Sequence, residues 1–420
     1  MTMKISDVQV YRNGTFHKED LFVKDGRIVS SEDLGRTLDA ELSLSFPDCI
    51  LLPGFADVHV HLREPGFSYK ETVKTGTMAA AHGGYTAVCA MPNLNPSPDS
   101  LANLTVETDA IKRDARVRVY PYGTITKGSL GEALSDMEAI APYVIAYSDD
   151  GRGVQSEAMM ERAMREAKRL GKTIVAHCEE ASAVGGALHA GPFAEQHGYR
   201  GIPSVTEWRQ LERDLRLAEK IGCAYHVCHV SCKESVQLIR EAKRAGVNVT
   251  AETAPHYLVL SEEDLYDNAC MKMNPPLRTL ADKAALIEGV IDGTLDMIAT
   301  DHAPHTAEEK ARGIAHAPMG IVGLECAFPV LYTELVLKGV LSLETLIERM
   351  AIAPRRRFGI PGGTEIGEKA DFTVFDIKTK TKVDVEKFLS KGKCTPFDGR
   401  EVYGTCKLTA VNGQIVWQDA

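Results

Sequence analysis

The sequence predicts an α/β fold, namely a TIM-type (β/α)8 barrel with a small β-sandwich domain built from both chain termini. Between about residue 53 and residue 362, apolar segments with strand character alternate with helical segments, as in βα units around a parallel sheet. Nearly every strand candidate ends in reactive polar residues, and active sites of such barrels gather at the C-terminal strand ends. An open doubly wound sheet would need a glycine-rich phosphate turn, which the sequence lacks.

Composition limits the class of protein. The chain has 420 residues, 44% of them hydrophobic, and a formal net charge of −10. This balance argues against nucleic acid or an anionic membrane as the main partner. The N-terminus lacks the apolar core of a signal peptide, and no run of residues is apolar enough to span a bilayer. The ten cysteines lack the spacings of a disulfide framework and are expected to be mostly reduced core residues. We therefore expect a cytoplasmic protein.

The two ends of the chain predict a second, smaller domain. Short alternating runs near the N-terminus are separated by Gly14 and Gly26, as in β-hairpins. Strand-like runs return near the C-terminus, with a hairpin signal at Asn412-Gly413. The predicted division is a small β domain from residues 1–52 and 363–420, and a barrel domain from residues 53–362.

The barrel prediction depends on eight strand candidates in chain order. They are Phe55–Leu62, Thr86–Met91, Val117–Ile125, Val144–Ser148, Thr173–His177, Ala224–Val230, Asn248–Thr253 and Met297–Thr300. Helices are predicted between them. In Ser156–Leu170, for example, apolar residues recur at helical spacing and Gly171 provides a stop. Glu207–Ile221 and Cys232–Ala245 follow the same pattern.

The first strand candidate carries the main chemical signal. Apolar Val58, Val60 and Leu62 alternate with His59, His61 and Arg63, so the two histidines and the arginine share one face of the strand. Two imidazoles at this spacing can share a metal ion or a metal pair. The arginine beside them suits a substrate carboxylate. The alternative is a strand whose polar face is only solvated.

Further ligand candidates at other strand ends favour a metal site. The full inventory is His59, His61, Asp149, Asp150, His177, His226, His229 and Asp301. Histidines and carboxylates in this number fit two divalent ions such as zinc. Adjacent residues of a strand face opposite sides, so only one of Asp149 and Asp150 can reach the metals. The same parity separates His226 from His229. The other histidines considered, His82, His189, His197, His256 and His316, are expected to be structural.

A set of seven motifs resembles the bacterial class I dihydroorotases of the amidohydrolase superfamily. The motifs are Asp57–Gly66, Met91-Pro92-Asn93, Ser148-Asp149-Asp150-Gly151, Val175-Ala176-His177-Cys178-Glu179, His226-Val227-Cys228-His229-Val230-Ser231, Met273-Asn274-Pro275-Pro276-Leu277-Arg278 and Thr300-Asp301-His302-Ala303-Pro304-His305. The resemblance covers nearly the whole chain. His-x-His alone is typical of the superfamily, whereas the full set is specific for the family.

This resemblance implies two Zn2+ ions per subunit, bridged by Asp150 and a hydroxide. It assigns His59 and His61 to one ion and His177 and His229 to the other, with Asp301 as both ligand and catalytic acid–base. Related hydantoinases and class II enzymes use a carboxylated lysine as the bridge, whereas this chain has Asp150 there.

The resemblance also implies a substrate site. It assigns Arg63, Asn93 and His305 to the substrate carboxylate, Asn274 and the Met319-Gly320 backbone to the ring, and counts His61 among the substrate contacts. Family members commonly have Phe where this chain has Met319, a change that a backbone contact should tolerate.

The implied reaction is the reversible cyclisation of N-carbamoyl-L-aspartate to L-dihydroorotate, the third step of de novo pyrimidine biosynthesis. A homodimer and association with aspartate carbamoyltransferase are implied partners. Two alternatives remain at this stage. One is a hydantoinase or dihydropyrimidinase acting on rings without the carboxylate, for which Arg63 would have no partner. The other is an inactive scaffold, which would be expected to have lost metal ligands.

The segment Thr306–Pro318 follows the eighth strand candidate. It begins with charged residues and contains Gly313 and Pro318. We expect it to act as a lid that closes over the substrate, because closing loops at this face of a barrel exclude water. The alternative is an inert surface loop.

Overall fold

Most strands within residues 53–362 are shorter than the apolar runs that predict them. The computed structural model describes residues 2–33, 40–181 and 185–419. Within these ranges, strands of this region span Phe55–Val60, Tyr85–Ala90, Arg118–Pro121, Ile174–Ala176, Tyr225–Val227, Val249–Thr253 and Met297–Ile298.

The prediction of a strand at Val144–Ser148 is wrong in its extent. Only Tyr147 forms parallel bridges, to Gly123 on one side and to Ile174 on the other. The chain then turns, because the Asp149 carboxylate accepts hydrogen bonds from the backbone N–H groups of Ile125 and Thr126.

Parallel pairing connects the eight segments in chain order. Phe55–Val60 pairs with Tyr85–Ala90, which pairs with Arg118–Pro121. Tyr147 continues the series to Ile174–Ala176, and three further parallel pairings lead to Met297–Ile298. His302, which follows that last strand, forms a parallel bridge with Val60 of the first. The carboxyl ends of all these segments therefore lie at the same end of the sheet.

Amphipathic helices cover this sheet. The longer ones span Val73–His82, Leu101–Asp114, Glu157–Arg169, Val205–Ile221, Lys233–Arg244 and Leu280–Asp292. Glu157–Arg169 begins after Ser156, whose hydroxyl accepts from the Met159 N–H, and it buries Met159, Ala163 and Ala167. The shorter helices are Met137–Ile140, Pro192–Gln196, Pro255–Val259, Ala307–Lys310, Gly313–His316, Ala327–Leu331, Leu343–Ile347 and Ala353–Phe358, with π-helical turns at Tyr332–Val336 and Glu348–Ile352.

Strands from the two chain ends pair with one another. The terminal strands are Thr2–Ser6, Gln9–Arg12, Thr15–Lys18, Leu21–Lys24, Arg27–Val29, Leu42–Ser45, Ile50–Pro53, Phe372–Asp376, Thr405–Val411 and Gln414–Gln418. Phe372–Asp376 lies antiparallel to Ile50–Pro53 in a six-stranded sheet. An apolar cluster that includes Met3, Leu51 and Phe372 joins this sheet to a four-stranded sheet.

The hairpin predicted at Asn412-Gly413 is confirmed. Both residues have positive φ, and they connect Thr405–Val411 to Gln414–Gln418. Short paired strands also occur at Leu188–His189, Gly201–Ile202, Thr381–Lys382 and Glu401–Val402. The small-domain prediction also includes residues 1, 34–39 and 420, which lie outside the described residues.

Eight of the ten cysteines are free and buried, in line with the sequence-based expectation. The remaining two, Cys270 and Cys394, form a disulfide across 124 residues of chain. Their separation in the sequence carries no signal that they meet in space. In the part of the chain that the structure describes, no helix is long and apolar enough to cross a membrane.

Candidate active site

A cavity of about 400 Å³ lies at the carboxyl ends of the parallel strands. Eleven of the residues that the sequence analysis selected line it: His61, Arg63, Asn93, Asp150, His177, His229, Asn274, Asp301, His305, Met319 and Gly320. His59 is fully buried and contacts Asp150, which lines the cavity. The structure therefore brings together all the predicted metal and substrate residues.

The first half of the candidate metal centre is built on the first strand. His59 lies on this strand and His61 directly follows its last residue, Val60, and the centroids of the two rings are 5.4 Å apart. The His59 Nε2 atom is 3.3 Å from Asp150 Oδ1 and 3.6 Å from Asp301 Oδ1. The His61 Nε2 atom is 3.1 Å from the same Asp301 oxygen and 3.7 Å from Asp150 Oδ2.

The second half comes from the fifth and sixth strand ends. His177 Nδ1 lies 3.7 Å from Asp150 Oδ1, and His229 Nε2 lies 3.8 Å from that oxygen. The two imidazoles also approach each other, with 2.9 Å between His177 Nδ1 and His229 Nε2. Asp150 therefore lies between the two histidine pairs.

Unsatisfied buried atoms indicate that this cluster fits a cation. His59 Nε2 and Asp150 Oδ1 are both buried and have no hydrogen-bond partner. Such groups are costly to bury unless a partner compensates them. The ligand atoms of His59, Asp150 and His229 lie within 4.8 Å of one another, as do those of His59, His61 and Asp301. Imidazole nitrogens and carboxylate oxygens are donors that zinc and similar divalent ions accept.

The carboxylates of the cluster are held in their charged form. Burial alone would raise the pKa of Asp150, but the positive charges of His59 and His61 hold it well below its usual value. For Asp301, burial is again outweighed, here by the hydrogen bond from His61 and the charge of His59, so its pKa is lowered. Both groups are ionised, which is the state that binds a divalent ion.

Glu252 orients the histidines and was missed by the sequence analysis. Its carboxylate contacts His59 Nδ1 at 2.7 Å and His226 Nε2 at 3.1 Å. His226 therefore faces Glu252, and of the histidine pair only His229 lines the cavity. Despite burial, the charges and hydrogen bonds of these imidazoles lower the pKa of Glu252 to about 2. A carboxylate in the apolar run Val249–Thr253 was the available signal.

Glu179 is a second residue that the sequence analysis did not assign. It belongs to the quoted His177-Cys178-Glu179 motif and lines the cavity. Its Oε2 atom lies 3.1 Å from His177 Nε2 and accepts a 3.0 Å hydrogen bond from Asn274 Nδ2. Glu179 thereby connects a predicted metal ligand to a predicted ring contact.

A cationic group forms the other side of the cavity. Arg63 is half-buried, and its guanidinium contacts the Pro304 carbonyl oxygen at 3.3 Å and the His305 ring at 3.4 Å. Neither partner is anionic, and among the described residues no carboxylate forms an ion pair with Arg63. Asn93 connects this side to the metal cluster, because its Oδ1 atom lies 2.9 Å from His61 Nδ1 and its Nδ2 donates to Asp150 Oδ2 at 3.1 Å. The site therefore offers a positive charge that forms no ion pair with any described residue, beside a candidate metal centre.

The histidines outside the predicted pattern have other surroundings. His82 is paired with Glu325, His189 contacts Arg278, His197 is stacked on Phe193, and His316 is exposed. His256 is buried against Tyr257 with its Nε2 atom unpartnered, and burial lowers its pKa to about 4. None of the five lines the cavity.

Solved structures similar to this one include hydantoinases and dihydropyrimidinases. L-hydantoinase (dihydropyrimidinase) from Arthrobacter aurescens has a TM-score of 0.87 and 26% identity, with 99% of this chain and 96% of that chain covered. Dihydropyrimidinase from Brevibacillus agri matches in fold, with a TM-score of 0.86, 24% identity and coverage of 100% of this chain and 95% of that chain. Fold and site together define a cyclic amide hydrolase of the amidohydrolase superfamily.

Sequence comparison identifies the family within this class. The Dihydro-orotase-like family pattern matches residues 48–235. A dihydroorotase from Bacillus thuringiensis is 49% identical over 420 residues, which covers 97% of this chain and 98% of the relative. A dihydroorotase from Bacillus cytotoxicus is 49% identical over 411 residues, covering 96% and 95%. The chain belongs to the dihydroorotase family.

Proposed function

We propose that this protein catalyses the reversible cyclisation of N-carbamoyl-L-aspartate to L-dihydroorotate. The observation that carries the proposal is Arg63, a half-buried guanidinium that lines the cavity beside the histidine–carboxylate cluster and whose hydrogen-bond partners are both neutral. A substrate that combines a ring amide with a carboxylate would satisfy both features of this cavity.

The proposed cofactor is a pair of zinc ions. His59 and His61 would hold one ion and His177 and His229 the other, with Asp150 between them and Asp301 as a further ligand. The two unpartnered buried atoms in this cluster, His59 Nε2 and Asp150 Oδ1, support the assignment. When bound, such ions supply an activated water and polarise the carbonyl that is attacked.

In the proposed mechanism the protein binds the substrate at both ends. Arg63, Asn93 and His305 hold the carboxylate, while Asn274 and the Met319-Gly320 backbone contact the ring. During hydrolysis, Asp301 accepts a proton from the attacking water as the ring C–N bond breaks, and it returns that proton to the leaving nitrogen. Cyclisation reverses these steps and consumes a proton, so acid favours the ring.

We further propose that the eight parallel segments form a closed (β/α)8 barrel over residues 53–362. Residues 1–52 and 363–420 would form a small β-sandwich domain. The chain order of the parallel pairings and the Val60–His302 bridge support the first proposal, and the shared six-stranded sheet supports the second. A cytoplasmic location, a homodimer and association with aspartate carbamoyltransferase remain predictions.

Turnover with a panel of substrates tests the proposed function. Purified protein should interconvert carbamoyl aspartate and dihydroorotate, lose this activity on chelation and regain it with zinc. Hydantoin and dihydrouracil should be poor substrates. Absence of turnover in zinc-restored protein would contradict the proposal and favour the scaffold alternative.

Arg63→Met separates the proposed function from that of a hydantoinase. Loss of the charge-assisted contact to the carboxylate should lower kcat/KM for dihydroorotate by about 100-fold or more. Substrates that lack the carboxylate serve as the internal control, because their residual turnover should not change. A variant with wild-type activity toward dihydroorotate would contradict the assignment of Arg63.

A further inference from the structure

Lys70 does not line the cavity, but it contacts His305, which lines the side of the cavity proposed to bind the substrate carboxylate. Its Nζ atom is 3.1 Å from His305 Nδ1 and 2.9 Å from Glu309 Oε1. The side chain is only 13% exposed. Lys70 thus joins three parts of the chain, namely the loop after the first strand, the Asp301–His305 motif and the helix Ala307–Lys310.

These contacts define the protonation state of His305. The opposite ring nitrogen, Nε2, lies 2.7 Å from the Met319 carbonyl oxygen, which can only accept a hydrogen bond. The Arg63 guanidinium, a donor, lies farther from the same nitrogen, at 3.4 Å. The shorter contact with Met319 therefore assigns the proton to Nε2. In a neutral ring Nδ1 is then a bare acceptor, and the Lys70 ammonium is its donor.

The charges around His305 favour the same state. Burial and the nearby cations Arg63, Lys70 and Lys310 lower the pKa of His305, to about 3. Glu309 is the anion that faces the ring, with its Oε2 atom 3.4 Å from Nδ1. Glu309 is also paired with Lys70, so the lysine and not the imidazole carries the positive charge at this point.

We propose that Lys70 is a positioning residue for substrate binding, which fixes the His305 ring and, through the ring, the Met319 backbone at the carboxylate end of the site. The proposal rests on the proposed function, since it assigns Lys70 to binding of the substrate carboxylate. Lys70 acts through His305 and does not touch the reacting atoms. Its loss should weaken binding of the charged substrate more than it slows the chemical step.

Kinetics of Lys70 variants test the proposal. In Lys70→Met, KM for dihydroorotate should rise about 10-fold or more, as for a lost hydrogen bond to a charged group, while kcat should change less than about 3-fold. Lys70→Arg restores a cationic donor and should recover much of the loss. Lys70→Gln retains a donor without the charge and should lie between the two.

Two control variants isolate the contact with His305. Glu309→Gln removes the ion-pair partner but keeps the lysine on the ring, so KM should stay near the wild-type value. Lys74→Met removes an exposed charge from the neighbouring helix and should have no effect. If Glu309→Gln raised KM as much as Lys70→Met, the ion pair and not the ring contact would be responsible, and the proposal would be overturned.

A measurement of the ring itself does not depend on turnover. In protein with 15N-labelled histidine, the His305 resonances, assigned with His305→Asn, should report a proton on Nε2 in the wild type and a shifted tautomer balance in Lys70→Met. An unchanged ring or an unchanged KM would overturn the proposal. If the wild type lacked dihydroorotase activity, the proposed function would fail, whereas the ring spectra would still decide whether Lys70 sets the state of His305.

Discussion

At the scale of single residues, the neighbouring carboxylates of Asp149 and Asp150 have different roles because their side chains point in opposite directions. Asp150 faces the histidines, while Asp149 points the other way and accepts backbone hydrogen bonds from Ile125 and Thr126 at 2.8 and 3.1 Å. Parity along the strand predicts that only one of the pair can reach the site. The structure identifies Asp150 as that one, and the resemblance of the motif selects the same residue.

Glu107 is a buried residue whose effect on the free energy of unfolding can be tested. It lies on the helix Leu101–Asp114, its Oε2 atom has no hydrogen-bond partner, and burial raises its pKa well above the usual value. Above its pKa in the unfolded chain, the unfolded state has released the proton that the folded state retains, so stability falls as pH rises.

We therefore expect the free energy of unfolding of Glu107→Gln, taken relative to that of the wild type, to increase by about 1 kcal/mol or more from pH 5 to pH 8. Urea unfolding at the two pH values measures this difference. The exposed Glu132→Gln provides the control and should show almost no change. A Glu107 variant whose relative stability did not depend on pH would show that the carboxyl is already ionised in the fold.

At the scale of elements, the segment Thr306–Pro318 is more firmly held than its composition suggests. It contains the helices Ala307–Lys310 and Gly313–His316. The buried Lys310 donates from Nζ to the carbonyl oxygens of Gly320 and Pro318, at 2.7 and 3.1 Å. Lys272 donates to the Ile314 carbonyl oxygen at 2.6 Å. The lid prediction stays a prediction, because these contacts describe one position of the segment.

Lys310→Met should loosen this segment. Removal of hydrogen bonds from a buried ammonium should raise amide hydrogen exchange in residues 307–319 by about 10-fold or more, with little change elsewhere. Arg312→Met, an exposed charge in the same segment, is the matched control. Equal exchange in the two variants would mean that the segment is held by its other contacts.

At the scale of the whole molecule, an ion pair connects the parallel strands to the sheet of the chain termini. Arg118 Nε lies 2.8 Å from Asp371 Oδ2, and the carboxylate is fully buried. Asp371 Oδ1 also accepts the Asn412 N–H at 2.8 Å, and the Asn412 side chain contacts Arg118. One arginine thereby joins a strand of the barrel region to the C-terminal hairpin.

Arg118→Met should destabilise the protein by about 3 kcal/mol, because it leaves the Asp371 charge buried without its cation. Arg113→Met removes an arginine whose ion pairs are exposed, and this control should cost less than about 1 kcal/mol. Chemical unfolding measures both. If Arg118→Met lost less stability than the Arg113→Met control, the backbone N–H of Asn412 alone would be enough to compensate the Asp371 charge.

The chain by itself determines the elements and the chemistry. The alternation of residue types predicts that His59, His61 and Arg63 reach one site, although the strand itself ends at Val60. The positions of polar residues at strand ends indicate where that site lies. These properties are local, because they depend on side chains a few residues apart and on the geometry of a strand. The hairpin at Asn412-Gly413 is predictable for the same reason.

Only the tertiary structure decides which distant groups meet. Glu252, Glu179 and Lys70 act through contacts with His59, Asn274 and His305, and the first of these contacts spans 193 residues of chain. The Cys270–Cys394 disulfide joins residues 124 apart in the sequence. Such pairings depend on how the strands are ordered around the sheet. A single sequence carries no periodic signal for them, because the physical cause is the packing of whole elements.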